Sequence, residues 1–154
     1  MIRIGRLTDY GIVLMVHVAA KPEMDHSASE IAADARLPLP TVSKLLRLLA
    51  KEGILISHRG AKGGYNLARP AAEISVAEII EAIEGPVGLT LCTTNDHNGD
   101  CEYEPRCPVR GHWQKINRAV CNALENVTLA DIATPAHKLT IAQRPISAIV
   151  AQAQ

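Results

Sequence analysis

The chain has no phenylalanine and only three tyrosines and one tryptophan in 154 residues. So few rings argue against recognition of single-stranded nucleic acid by base stacking, which needs an aromatic platform. No apolar run is long enough to span a bilayer, and no charged-then-apolar signal segment follows Met1, so a cytoplasmic setting is expected. Net charge is missing too, since 16 Lys and Arg balance 16 Asp and Glu. There is no internal repeat, nucleophile elbow, phosphate-cradling loop or His-Glu metal helix, and no acid–base or nucleophile–base pair stands out; an enzyme is not expected. A chain of this length buries one fair core, or one small domain with appendages.

The charge balance averages two unlike halves. Residues 1–70 carry ten Lys and Arg against six Asp and Glu, a net +4, while residues 71–154 carry six against ten, a net −4. A basic front on a neutral chain fits a local polyanion site, because phosphate contacts respond to the local field.

Local signals divide the front half into helices. Thr8 to Ala20 reads as a helix with Thr8 as N-cap and Lys21-Pro22 as its stop; Ile12 to Val16 make it apolar nearly all round, so it is buried on more than one side. Ser27 and Glu30 have capping-box spacing, predicting a short helix to about Arg36. A turn at residues 37–40 leads to a helix over Pro40 to Lys51. Val42, Leu45, Leu46 and Leu49 form its apolar stripe, Pro40, Ser43, Lys44, Arg47 and Lys51 its outer face, and Gly53 its C′ residue. Strands over Ile54 to Arg59 and Tyr65 to Ala68 flank a glycine-rich tip containing Lys62. Ser75 and Glu78 start a further helix ending near Glu84, again with capping-box spacing. Val109 to about Asn126 is a long helix, with Val109, Trp113, Ile116, Val120, Leu124 and Val127 as a coiled-coil-like seam that fits pairing across a two-fold axis. Thr128 to Asp131 opens a last short turn, and the tail beyond Pro135 has no strong pattern.

Three helices and a β-ribbon make a winged helix-turn-helix. In that arrangement the second helix of the pair enters the major groove, which places Thr41, Ser43, Lys44 and Arg47 at bases and phosphates. Arg59 and Lys62 on the wing would reach a minor groove or the backbone.

Cys92, Cys101 and Cys107 crowd one segment, separated by eight and five residues. These gaps exceed those of zinc knuckles, and thiolates are the main ligands of iron–sulfur clusters. Spacing alone leaves open a cluster, a zinc site completed by His112, and three unligated thiols. Cys121, beside the helical seam, reads as a buried structural thiol.

Taken together, these motifs resemble the family of winged-helix iron–sulfur transcription regulators that includes IscR and NsrR, and most of all its SUF-system assembly regulators. The stretches that carry the resemblance are Leu7 to Gly11, Arg59 to Arg69, Glu78 to Ile83 and Asn126 to Asp131, with the three cysteines falling where the family places its cluster ligands. The resemblance extends to about Ala133. It implies a mostly α fold with a small β-wing, a winged helix-turn-helix plus a long C-terminal dimerisation helix. It further implies a homodimer on double-stranded promoter DNA, with one 2Fe–2S or 4Fe–4S cluster per subunit whose state changes DNA affinity. The fourth ligand stays open between Asp9 of the other subunit, which matches an NsrR-branch aspartate, and His112, with His97 or Glu104 behind. The expected division is 1–84 for DNA binding, 85–108 for the cysteine loop, 109–134 for dimerisation (Trp113, Ile116, Val120, Leu124) and the terminal turn, and 135–154 as a loose tail. The expected role is a regulator, a repressor in the first instance, of SUF-type iron–sulfur assembly genes. The alternative is a zinc- or thiol-redox-switched DNA-binding regulator.

Overall fold

A computed structural model of the protein describes residues 3–60, 63–93, 101 and 106–133. The tail at 135–154, Lys62, His97 and Glu104 therefore lie outside the described residues. Among the described residues, six helices and one two-stranded antiparallel sheet make the architecture: α1 (Arg6–Ala19), α2 (Ala28–Ala35), α3 (Leu39–Lys51), β1 (Leu55–Ser57), β2 (Tyr65–Leu67), α4 (Val76–Glu84), α5 (Arg110–Glu125) and α6 (Leu129–Ala133). Single 3₁₀ turns lie at Ala71–Glu73 and Leu91–Thr93. This is the mostly α winged fold that the sequence implies.

α2 and α4 begin where their capping boxes say. In each, the serine hydroxyl accepts the N3 amide and the N3 glutamate accepts the serine amide, for Ser27 with Glu30 and for Ser75 with Glu78. Arg36 closes α2 in the left-handed region at φ 54°, which turns the chain into α3. Pro40 sits in the first turn of α3, where no amide is missed. Val42, Leu45, Leu46 and Leu49 are all fully buried, as their spacing requires. They meet Leu14, Met15 and Val18 of α1, Ile31 of α2 and Ile79 of α4 in one core. Each such aliphatic side chain contributes roughly 1.5–3 kcal/mol relative to exposure.

Thr8 corrects one expectation. α1 starts earlier, with Gly5 at the cap position and no side-chain cap. Thr8 is fully buried in the first turn, and its hydroxyl donates to Glu84 Oε1, the oxygen that also accepts the Gly5 amide at 3.1 Å. A long-range acceptor has taken the hydroxyl that local sequence assigns to capping.

The wing is shorter than the sequence reading. Leu55, Ile56 and Ser57 pair with Leu67, Asn66 and Tyr65. Ile54 is buried and links the two: its amide bonds the Leu49 carbonyl at the helix exit (3.0 Å) and its carbonyl accepts the Ala68 amide across the ribbon (3.0 Å). His58 and Gly64 exchange two backbone bonds beyond the ladder (2.8 and 3.1 Å). On its other side, Tyr65 exchanges two with His26 (2.9 and 3.1 Å), so the α1–α2 connection supplies a third backbone partner. Gly64 is required there: a Cβ would lie 2.8 Å from the His26 oxygen and 2.9 Å from its carbonyl carbon.

The chain returns to this core at its far end. Val76 donates to the Val127 carbonyl (2.8 Å) and Leu129 to the Ile74 carbonyl (2.7 Å), and Leu129 is fully buried. α6 thereby packs on α1, while α5 projects along α4 and the Leu91–Thr93 turn.

Candidate nucleic-acid interface and cysteine segment

Burial of the α3 stripe fixes which side of the helix faces outward. Lys44 and Arg47 are exposed there, with Thr41 and Ser43 half-buried beside them. The N-terminus of α3 carries no side-chain cap; Pro40 has no amide to be met, and the Thr41 amide bonds the Pro38 carbonyl at 3.0 Å. Arg59 is exposed where the wing ribbon ends. An open cleft of about 340 Å³ joins the wing base to the start of α2, lined by Ser27, Ala28, Ser57, His58, Arg59 and Tyr65 among others. His58 Nε2 lies 3.8 Å from Asp25, which also accepts from Asn66 Nδ2 at 3.0 Å. These contacts join the α1–α2 connection to the wing, and sequence reasoning missed them because Asp25 and Asn66 are 41 residues apart.

All four cysteines are free thiols and half-buried. Cys92 lies in the Leu91–Thr93 turn, held by Thr90: the Thr90 amide donates to Thr93 Oγ1 (3.1 Å), the Thr93 hydroxyl donates to the Thr90 carbonyl (2.7 Å), and Thr90 Oγ1 is 3.3 Å from Cys92 Sγ. Among the described residues no three His, Cys, Asp or Glu side chains converge as a metal site. Asp9 is exposed in the first turn of α1 and His112 is exposed in the first turn of α5. The donor chemistry nonetheless fits an iron–sulfur group, since three free, partly accessible thiols on one segment are the ligand type such a group takes.

Cys121 is half-buried rather than sunk in the helical seam. It lines a cleft of about 390 Å³ together with Cys92, Thr93, Gln114, Asn117, Arg118, Asn122 and Glu125. Burial pushes its thiol pKa up, and the nearby Glu125 and Glu81 carboxylates add to the shift. Among the described residues the expected seam of α5 is only partly covered: Trp113 is 39% exposed and Ile116 46%, with Val109 and Val127 also exposed and Val120 and Leu124 half-buried. The only buried residue of α5 is Asn117.

A basic outward helix face, a wing beside it and a hydrogen-bonded turn between two packed helices define a winged-helix DNA-binding transcriptional regulator. Comparison with known proteins narrows that class. Residues 4–135 match the model of a family described as Rrf2, iron-dependent transcriptional regulator. The chain belongs to the Rrf2 family. Rv1287 of Mycobacterium tuberculosis (strain H37Rv), provisionally named an HTH-type transcriptional regulator, is 32% identical, over 92% of this chain and 87% of that protein. The HTH-type transcriptional regulator IscR of Vibrio parahaemolyticus is 28% identical over 88% of this chain and 79% of its own length. Among solved structures, T. potens IscR superposes with a TM-score of 0.67 at 29% identity, covering 92% of this chain and 93% of that one. CymR, the global cysteine regulator of B. subtilis, superposes with a TM-score of 0.66 at 30% identity, covering 86% and 97%. These relatives are transcriptional regulators rather than enzymes. No described helix is long and apolar enough to cross a membrane.

Proposed function

We propose that this Rrf2 regulator acts as a cytoplasmic homodimer that senses iron–sulfur status through Cys92, Cys101 and Cys107 and represses SUF-type assembly genes. One observation carries the reading. Three free thiols lie on the segment between the core helix α4 and α5, so whatever ties them together acts on the path from reading head to dimer helix. The description of the matched family as iron-dependent supports it. Each subunit would hold one 2Fe–2S or 4Fe–4S cluster through those cysteines, with Asp9 of the partner or His112 as the remaining donor. The cluster supplies a tie among thiolates that depends on iron supply and oxidant.

The protein's own residues do the rest. Thr41, Ser43, Lys44 and Arg47 read bases and phosphates in the major groove, and Arg59 and Lys62 grip the flanking duplex. Residues 1–84 form the reading head, 85–108 the sensing segment, and the helix from 109 sets the distance between two heads. Ordering the segment fixes that distance, and the difference in DNA affinity between loaded and empty forms is the signal, of order ~1–3 kcal/mol.

Anaerobic reconstitution followed by titration onto promoter DNA tests this. The wild type should gain iron, sulfide and visible absorbance, and its DNA affinity should shift about 5–150-fold. Alanine at all three cysteines should abolish the shift and leave residual DNA binding. A wild-type protein that stays colourless and iron-free rejects the cluster. The second reading, a thiol-redox switch, is favoured by one feature: Cys92 and Cys121 line the same cleft. Thiol titration before and after peroxide, with metal analysis for zinc, separates the two.

A further inference from the structure

Asn117 is 8% exposed, amid a helix whose other residues are half-buried or open. Asparagine is a poor helix former, and a buried carboxamide is costly unless its polar atoms are met. Here they are met by main chain far away in sequence. Oδ1 accepts the Leu89 amide at 2.9 Å, and Nδ2 donates to the Val87 carbonyl at 3.2 Å. Cys121, one turn along, reinforces the contact: its thiol donates to the same Val87 carbonyl at 3.8 Å and accepts from Asn117 Nδ2 at 3.6 Å.

Leu89 leads directly into the Thr90–Thr93 turn that holds Cys92. One side chain thus joins α5 to the turn that carries the first thiol. We propose that Asn117 is a positioning residue: it fixes the Cys92 thiol relative to α5 and transmits the state of the cysteine segment to that helix. The proposal rests on the sensing reading above and extends it to a residue outside the cysteine segment.

The test uses the full-length protein without cluster. Iodoacetamide alkylation is followed at each cysteine separately by peptide mass spectrometry. Asn117→Ala removes both bonds and should raise the Cys92 rate about tenfold relative to Cys107, the effect of losing roughly one to two hydrogen bonds. Asn117→Asp keeps an acceptor for Leu89 but sets an oxygen against the Val87 carbonyl, and should also raise the Cys92 to Cys107 ratio. Asn122→Ala, on the same cleft, should leave the Cys92 to Cys107 ratio unchanged. If Asn117→Ala does not fold, judged by cooperative melting, Asn117→Asp carries the comparison. After anaerobic reconstitution, the Asn117 variants should lose visible absorbance faster than wild type. An unchanged ratio in folded Asn117 variants overturns the proposal, and so does an equal rise at every cysteine, which would mean general loosening. A selective rise at Cys92 in a protein that takes up no cluster supports the positioning role while removing the iron–sulfur reading.

Discussion

Glu78 gathers three hydrogen bonds from two residues at one carboxylate. It accepts the Ser75 amide at 2.8 Å, the Ser75 hydroxyl at 3.1 Å and Arg69 Nη2 at 2.7 Å. Its pKa lies below the ordinary glutamate range, chiefly through the Ser75 backbone bond; partial burial opposes the shift, and Arg69 and the Ser75 hydroxyl assist it. A lowered folded-state value means the charged form stabilises the fold. That stabilisation is complete above the ordinary glutamate range and disappears as pH falls through the folded value. Solvent reaches more than a third of this side chain, so the ionic part contributes under about 1 kcal/mol. Glu78→Gln should therefore melt below wild type at neutral pH, and the gap should close in acid; a gap of constant size would contradict this account. Gly64 sets a steric constraint instead. Gly64→Ala drives a Cβ against the His26 backbone, which is held on both sides by Tyr65 and cannot retreat freely. The expected cost is about 1–3 kcal/mol in thermal or denaturant unfolding, with weaker DNA binding from a displaced wing.

α3 keeps its fully buried stripe apart from the exposed Lys44 and Arg47, which the proposed function places at the duplex. Leu46→Ala should cost about 2–5 kcal/mol, because it opens a cavity in the shared core, where Leu46 is fully buried. Lys44→Ala, on the exposed side, should change stability by less than about 0.5 kcal/mol. It should weaken promoter binding and lower the slope of affinity against salt by about one, as loss of a phosphate contact does. If Lys44→Ala leaves DNA affinity and its salt slope unchanged, this face is not the one that meets the duplex. The helix was legible beforehand for a simple reason: its stripe repeats within thirteen residues, and the capping boxes of α2 and α4 span only four. What sequence could not give depends on distant partners. The start of α1 is set with Glu84, 76 residues from Thr8; the third edge of the wing comes from His26; and Asn117 holds main chain 28 and 30 residues away. The cysteines were legible as a ligand type, but the cleft that Cys92 shares with Cys121 arises only when the Leu91–Thr93 turn packs on α5.

Among the described residues, exposed large apolar side chains are most numerous on and beside two helices, α1 and α5, with Met24, Leu39, Ile56 and Leu91 exposed elsewhere. Ile4 precedes α1, Leu7 and Val13 lie along it, and Val109, Trp113, Ile116 and Val127 follow the seam of α5, all exposed. A 16-residue helix with a single buried position is not held by its own chain to the extent that α3 is. Exposed apolar positions along one helix fit an interaction surface, and in the proposed dimer a second copy of the same seam across a two-fold axis would bury them. The consequence of the proposed dimer for DNA is geometric. Two reading heads related by such an axis would match a near-palindromic site, and separating them would forfeit the second half-site. Ile116→Asp places a charge at the centre of the seam while leaving the described core untouched, because Ile116 is 46% exposed in the single chain. Sedimentation should show a dimer for wild type and a monomer for Ile116→Asp, with helical content and melting of the reading head retained. Affinity for the full promoter site should fall by at least about tenfold, while contacts to an isolated half-site stay close to wild type. A dimer that survives this substitution would place the subunit contact elsewhere, and α5 would then have to meet another partner.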